Sequence, residues 1–232
     1  MGIKMILHQT YYILAEESRY SGPRDTPVYA TNGSILARVP RAFFASMCIQ
    51  GSGKLADGRV LNFTSSCGYG DACLTSGPTC YRFLNSQTHP WGQGWRGTPL
   101  RPLRSIAVDP RTIPLGSYVY MPRWHGLQIP SIDGLGGYTH DGCFRAEDTG
   151  GAIDDNHIDI FAGTEGMHRA LERIFPTHTN FDASVRTTSC ETAVSAGMSV
   201  GTKMILGVAA GAGAGWLGWK EWNRRGMKRR RR

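Results

Sequence analysis

The sequence predicts a mainly β protein, nearer to a small barrel than to a parallel α/β sheet. Three observations carry this. Thirty glycines and twelve prolines in 232 residues call for short strands joined by frequent turns rather than a helical bundle. From residue 104 onward, short alternating apolar runs are separated by turn signals, as one-sided strands require. A composition of 41% hydrophobic and 19% charged residues is enough to build a core.

Taken in order, "QTYYILAEE" has strand character and "SRYSGPRDTP" is a loop. "VYATNGSILARV" predicts a hairpin about Asn32-Gly33. Pro40 opens "RAFFASMCI", a short helix. A glycine-rich loop, a turn at Asp57-Gly58 and a strand follow. Residues 64–98, rich in Cys, Gly, Pro and Trp, show little periodicity and are expected to form an irregular, disulfide-stapled insertion. "RSIAVDP", "GSYVYMP", "DGCFRAED" and "HIDIFAG" are strands, and "TEGMHRALERIF" is a closing helix. The barrel is expected to occupy residues 1–185, followed by a linker over 186–202.

The last segment differs in kind. "MILGVAAGAGAGWLGW" carries no charge, and with its flanks it predicts a transmembrane helix over 203–222, with tryptophans at the interface and a polybasic tail over 223–232. Gly207, Gly211 and Gly215 recur every fourth residue, a spacing that lets two helices self-associate in lipid. The rival reading is a glycine-rich tail. Residues 220–232 hold eight Lys or Arg against one Glu, so a net charge of +8 leaves the rest of the chain near neutral. Nucleic acid or anionic lipid is therefore a partner for the Arg tail, not for the body. Six cysteines fit disulfides of any of fifteen pairings; zinc is the rival, but the C-x5-C and C-x6-C spacings are looser than its usual ligand sets.

The candidate chemistry lies in "EDTGGAIDDNHIDIFAG", Glu147 to Gly163. Alternation in "HIDIF" sends Ile158 and Ile160 inward and His157, Asp159 and Phe161 to the other face. The same count in "CFRAED" groups Phe144, Ala146 and Asp148. A turn at Thr149-Gly150-Gly151 would bring Asp148 beside Asp159, and two neighbouring carboxyls raise one pKa. A raised carboxylic acid can protonate a glycosidic oxygen. The bland alternative is that such aspartates cap loop amides. It is preferred for Asp154, Asp155 and Asp109 and is weakest for Asp159, because mid-strand aspartate is disfavoured. His157 would orient a carboxylate or lie exposed.

At these residues the sequence resembles the three-aspartate (3D) domain shared with the membrane-bound lytic transglycosylase A family. "SIAVDPRTIPLGSYVYMP" and "FRAEDTGGAIDDNHIDIFAG" carry the likeness, and "FFASMCIQGSGKLADGR" is similar to the family's QGSG segment and the turn after it. The resemblance implies a double-psi β-barrel and a peptidoglycan substrate. The β-1,4 bond between N-acetylmuramic acid and N-acetylglucosamine would be cut with formation of a 1,6-anhydro sugar and no cofactor or metal. It assigns catalysis to Asp159 with Asp148 as its partner, and substrate contact to Gln50, Gly51, Ser52 and Gly53; Asp109 and Phe161 complete the expected binding set. Asp154-Asp155 stand where the family often has Lys-Gly, which adds negative charge beside the groove. A non-catalytic glycan-binding barrel and a structural membrane protein holding nucleic acid are the rival functions. The N-terminus lacks the pattern of a signal peptide, so the expected location is a bacterial cell envelope or a membrane-containing phage virion.

Overall fold

The computed structural model describes residues 2–73 and 77–190. The membrane helix expected over 203–222, the tail and the glycine repeat fall outside the described residues. Among the described residues no helix is long and apolar enough to cross a membrane. In chain order the elements are β1 (Ile3–Ile13), β2 (Ala15–Glu16), β3 (Thr26–Tyr29), β4 (Ile35–Val39), α1 (Arg41–Gln50), β5 (Ser52–Lys54), β6 (Val60–Ser66), β7 (Ala72–Cys73) and β8 (Gly77–Leu84). There follow β9 (Ser105–Val108), β10 (Tyr118–Gln128), β11 (Thr139–Asp148), β12 (His157–Gly163), α2 (Glu165–Ile174) and β13 (Asn180–Arg186).

Six strands close a barrel in the order β1-β12-β9-β11-β10-β13. Ile106, Val108, Phe144, Ala146, Ile158 and Ile160 point into it, with Trp124 fully buried among them; each Ile, Val or Phe side chain contributes roughly 1.5–3 kcal/mol on burial. Residues Phe181, Ala183 and Val185 of β13 complete this core, and β13 bonds to both β1 and β10. Helix α2 covers one end: the Thr164 hydroxyl accepts from the Met167 amide at 3.1 Å, starting the helix, and Met167 and Leu171 enter the barrel core.

Residues 15–84 supply a second sheet, ordered β2-β5-β6-β8-β3-β4 with β7 on β8. The expectation of an irregular insertion over 64–98 is therefore corrected: β8 runs through its middle and is hydrogen-bonded to β6, β3 and β7. Its irregular sequence hides a strand because the Cys and Gly residues serve bridges and turns within a paired segment. Cys48–Cys73 ties α1 to β7, Cys67–Cys80 ties the end of β6 to β8, and Cys143–Cys190 ties β11 to the chain beyond β13. Phe43, Phe44 and Met47 of α1 pack on this sheet.

The two sheets share a seam. Tyr12, Leu14, Val60, Leu100, Ala107, Ile153 and Phe161 form a third buried cluster, with Trp91 against it. The chain crosses from β1 into the second sheet here, and the Gln50 side chain accepts the Ile13 amide at 2.8 Å.

Candidate active site

Strand β9 organises the site. It runs parallel to β11 and antiparallel to β12, and its Ala107 pairs with Asp148 on one side and Asp159 on the other. Thr10 of β1 pairs with Asp159 in turn. Paired residues share a face, so Thr10, Asp159, Ala107 and Asp148 form one lateral row on the outer face of the barrel, beside the seam cluster. Both aspartates are half-buried residues.

Strict alternation would have put Asp148 inward with Phe144 and Ala146. A register shift between Ala146 and Asp148 prevents this. Glu147 occupies the extra position, buried, with the Ser105 hydroxyl at 2.6 Å and Arg101 at 2.9 Å. A bulge of this kind re-aims the following side chain. Asp148 consequently reaches the Tyr12 hydroxyl, which donates to it at 3.1 Å, while the Thr149 amide donates at 2.9 Å.

The Thr10 hydroxyl lies 2.8 Å from the Asp159 carboxylate and 2.8 Å from His157 Nε2. Loss of hydration pushes the Asp159 carboxyl up to about 7, against the Thr10 hydrogen bond and the nearby His168, with the Asp148 charge adding to the rise. Asp148 is pushed up to about 6 by loss of hydration, opposed by its bonds from Thr149 and Tyr12. The Tyr12 phenol is held well above its ordinary range by burial and by both aspartates, so it stays a donor. The site thus holds a carboxyl near half protonation at neutral pH, able to give a proton and take one back.

Asp109, at the end of β9, is 3% exposed. Its carboxylate takes the Arg111 fork at 2.7 to 3.1 Å, the Arg111 amide at 2.9 Å and the Asp155 amide at 3.0 Å. The Arg111 fork, first, and these amides hold its pKa well below the usual range. It anchors the 149–156 loop, and Arg111 also approaches Asp154 at 3.6 Å. Asp154 of this loop therefore meets a cation from the turn after β9.

The QGSG segment is built into the seam. Gln50 holds Ile13, and Gly51 ends α1 in the left-handed conformation at φ 77°. A Cβ on Gly53 would lie 2.5 Å from Met47, so the helix sits directly on β5. Ser52 is buried. Phe161 is fully buried and packs under Tyr12, ring centroids 4.8 Å apart; its surroundings are the seam, not solvent. The Trp91–Pro99 stretch bridges both sheets: the Gln93 amide donates to Asn62 at 2.9 Å, and a Cβ on Gly94 would lie 2.3 Å from the Glu147 carbonyl.

Thr10, Tyr12 and Glu147 are the residues that reading the sequence did not single out. Alternation in "QTYYI" places Thr10 and Tyr12 on one face, but nothing local says that this strand lies beside one some 150 residues later.

Residues 104–171 match the family model of the 3D domain, a span that contains all three aspartates. Among solved structures, Escherichia coli MltA with bound chitohexaose is 17% identical, with 78% of this chain and 71% of that one covered and a TM-score of 0.55. The membrane-bound lytic murein transglycosylase from Agrobacterium tumefaciens is 11% identical, with coverages of 80% and 73% and a TM-score of 0.47. MltA from Neisseria gonorrhoeae is 17% identical, with coverages of 72% and 54% and a TM-score of 0.45. No curated protein matches the sequence. At such identity the likeness to the E. coli structure establishes a shared fold.

Proposed function

We propose that this chain, with a 3D domain on the fold seen in lytic transglycosylases, is itself a peptidoglycan lytic transglycosylase. Asp159 gives its proton to the bridging O4 as the C1–O4 bond breaks. The carboxylate so formed takes the proton from the C6 hydroxyl as O6 bonds to C1, closing the 1,6-anhydro ring and restoring the acid. Protons balance over the two steps and no water enters, unlike the two-carboxylate hydrolases. Asp148, held by Tyr12 and Thr149, keeps Asp159 from ionising early through its charge.

One observation carries the reading: the carboxyl of a half-buried aspartate on a rigid strand, pushed up to about 7 by lost hydration, inside the segment that matches the 3D domain. The chitohexaose bound to E. coli MltA supports a saccharide occupant. The parallel pairs β1–β12 and β9–β11 within a closed barrel support the double-psi topology. In this proposal Gln50, Gly51 and the 149–156 loop border the substrate, and residues 203–222 tether the enzyme to a membrane of the bacterial envelope or of a virion. Incubation with purified sacculi tests it. Wild type releases anhydro-muropeptides, while Asp159→Asn binds sacculi without releasing them. Binding by both proteins with no product from either would instead identify a glycan-binding module.

A further inference from the structure

Thr10 lies between Asp159, to which it donates when that carboxyl is ionised, and His157, whose ring nitrogen accepts or donates according to its tautomer. Its hydroxyl lies 2.8 Å from Asp159 Oδ1 and 2.8 Å from His157 Nε2, yet a hydroxyl carries one proton. Two hydrogen bonds need two. The His157 ring also bonds the backbone of Ala152. A neutral imidazole whose N–H goes to that carbonyl presents a lone pair at Nε2. Thr10 then donates to His157, and Asp159 meets Thr10 only by bringing the second proton itself. Ionised Asp159 instead turns the Thr10 proton toward itself and strips His157 of its donor.

We propose that His157 is a positioning residue for Asp159, acting through the Thr10 hydroxyl so that the acid rests protonated. The inference deepens the transglycosylase reading and rests on it for its functional meaning. Neutrality of His157 follows from its setting. It is buried and stacks on His8 with centroids 4.8 Å apart and planes 9° off parallel. Its pKa is lowered to about 4, by burial first and then by His8, with His178 a smaller cause. Every group that faces the acid enters the balance: Asp148 from β11, Tyr12 and Thr10 from β1, and His168 from α2, with His8 and His178 behind His157. Of these, Asp148 favours the protonated acid and His168 opposes it; His157 sets which way the Thr10 proton points. During the reaction the hydroxyl turns from His157 to the new carboxylate and back.

The test is the titration of the Asp159 side-chain carboxyl by 13C NMR, assigned with Asp159→Asn. Replacing His157 with Phe keeps a ring on His8 and removes the acceptor. The apparent pKa of Asp159 is expected to fall by about one pH unit, a tenfold change in its acid constant. Thr10→Val, which removes the donor to the carboxylate, is expected to raise it, and His157→Gln, whose amide oxygen can accept from Thr10, to leave it near the wild-type value. An unchanged titration in His157→Phe, or a fall in Thr10→Val, overturns the proposal. If His157→Phe does not fold, Thr10→Val and His157→Gln decide it by the same signs. The readout needs no turnover, so a protein inert on sacculi that still shows the expected shifts sinks the transglycosylase reading alone.

Discussion

Asp148 and Asp159, eleven residues apart in sequence, flank the same residue of β9, Ala107, from opposite sides. One short strand thereby converts a sequence spacing into a carboxyl pair on a single surface, and the bulge at Glu147 is what turns Asp148 to that surface. Both partners are raised by lost hydration, with the acid that faces Thr10 the higher of the two.

Removal of the acid has the largest effect expected. Asp159→Asn should lower the rate of product release by about 100- to 10,000-fold, the span of a general acid–base contribution. Asp148→Asn removes only its charge and should cost about tenfold, one pKa unit on its neighbour. Initial rates on sacculi at matched protein concentration check both.

The same groups set the pH profile. Turnover needs Asp159 protonated, so the rate should fall as pH rises through about 7, and the limb belongs to the coupled pair rather than to one residue. In Asp148→Asn that limb should move to lower pH. A pH–rate series across the neutral range reads it.

Stability should move in the opposite sense from that of an ordinary salt-bridged carboxylate. Both folded pKa values, about 6 and about 7, lie above the usual unfolded value near 4. Between pH 4 and 7 the unfolded chain ionises first and binds fewer protons, so stability falls with rising pH across this window and levels off above it. Asp159→Asn should therefore melt above wild type at pH 8 and close to it at pH 4. Asp109 works the other way: its pKa is depressed, so its contribution is present above pH 4 and is lost on acidification.

Asp109 anchors a loop, and its loss should be local. Asp109→Ala frees Arg111 and the Asp155 amide together. Amide hydrogen exchange should speed up over residues 149–156 while the core strands β9 and β12 stay protected.

Two of the three disulfides staple the second sheet. Opening Cys48–Cys73, which closes a span of 25 residues, should cost about 3 kcal/mol. Denaturation of Cys48→Ser/Cys73→Ser should show the second sheet melting before the barrel, whose core is separate.

Five of the six barrel strands, all but β13, are legible because each advertises itself locally. Ile158 and Ile160 alternate with Asp159, Pro110 stops β9, and Gly150-Gly151 turns the chain. The face of Asp148 was not legible, since a bulge depends on what β9 presents opposite and leaves no mark in "FRAED". Strand β13 was missed because Phe181, Ala183 and Val185 alternate with polar residues too weakly to stand out beside the 64–98 and 203–222 segments. β8 was missed because its Cys and Gly content imitates a loop. Alternation turns Phe161 away from Ile158 and Ile160, but the second sheet that buries it comes from residues 15–84. The Thr10 contacts require pairing across almost the whole described chain, which only closure of the barrel reveals.

The most direct test of the central claim is digestion of purified sacculi in 18O-labelled water, with mass spectrometry of the released glycan ends. The account predicts 1,6-anhydro ends free of label, because the C6 hydroxyl and not water captures C1, and predicts their loss in Asp159→Asn. Labelled reducing ends, or no soluble product from the wild-type protein, would contradict it.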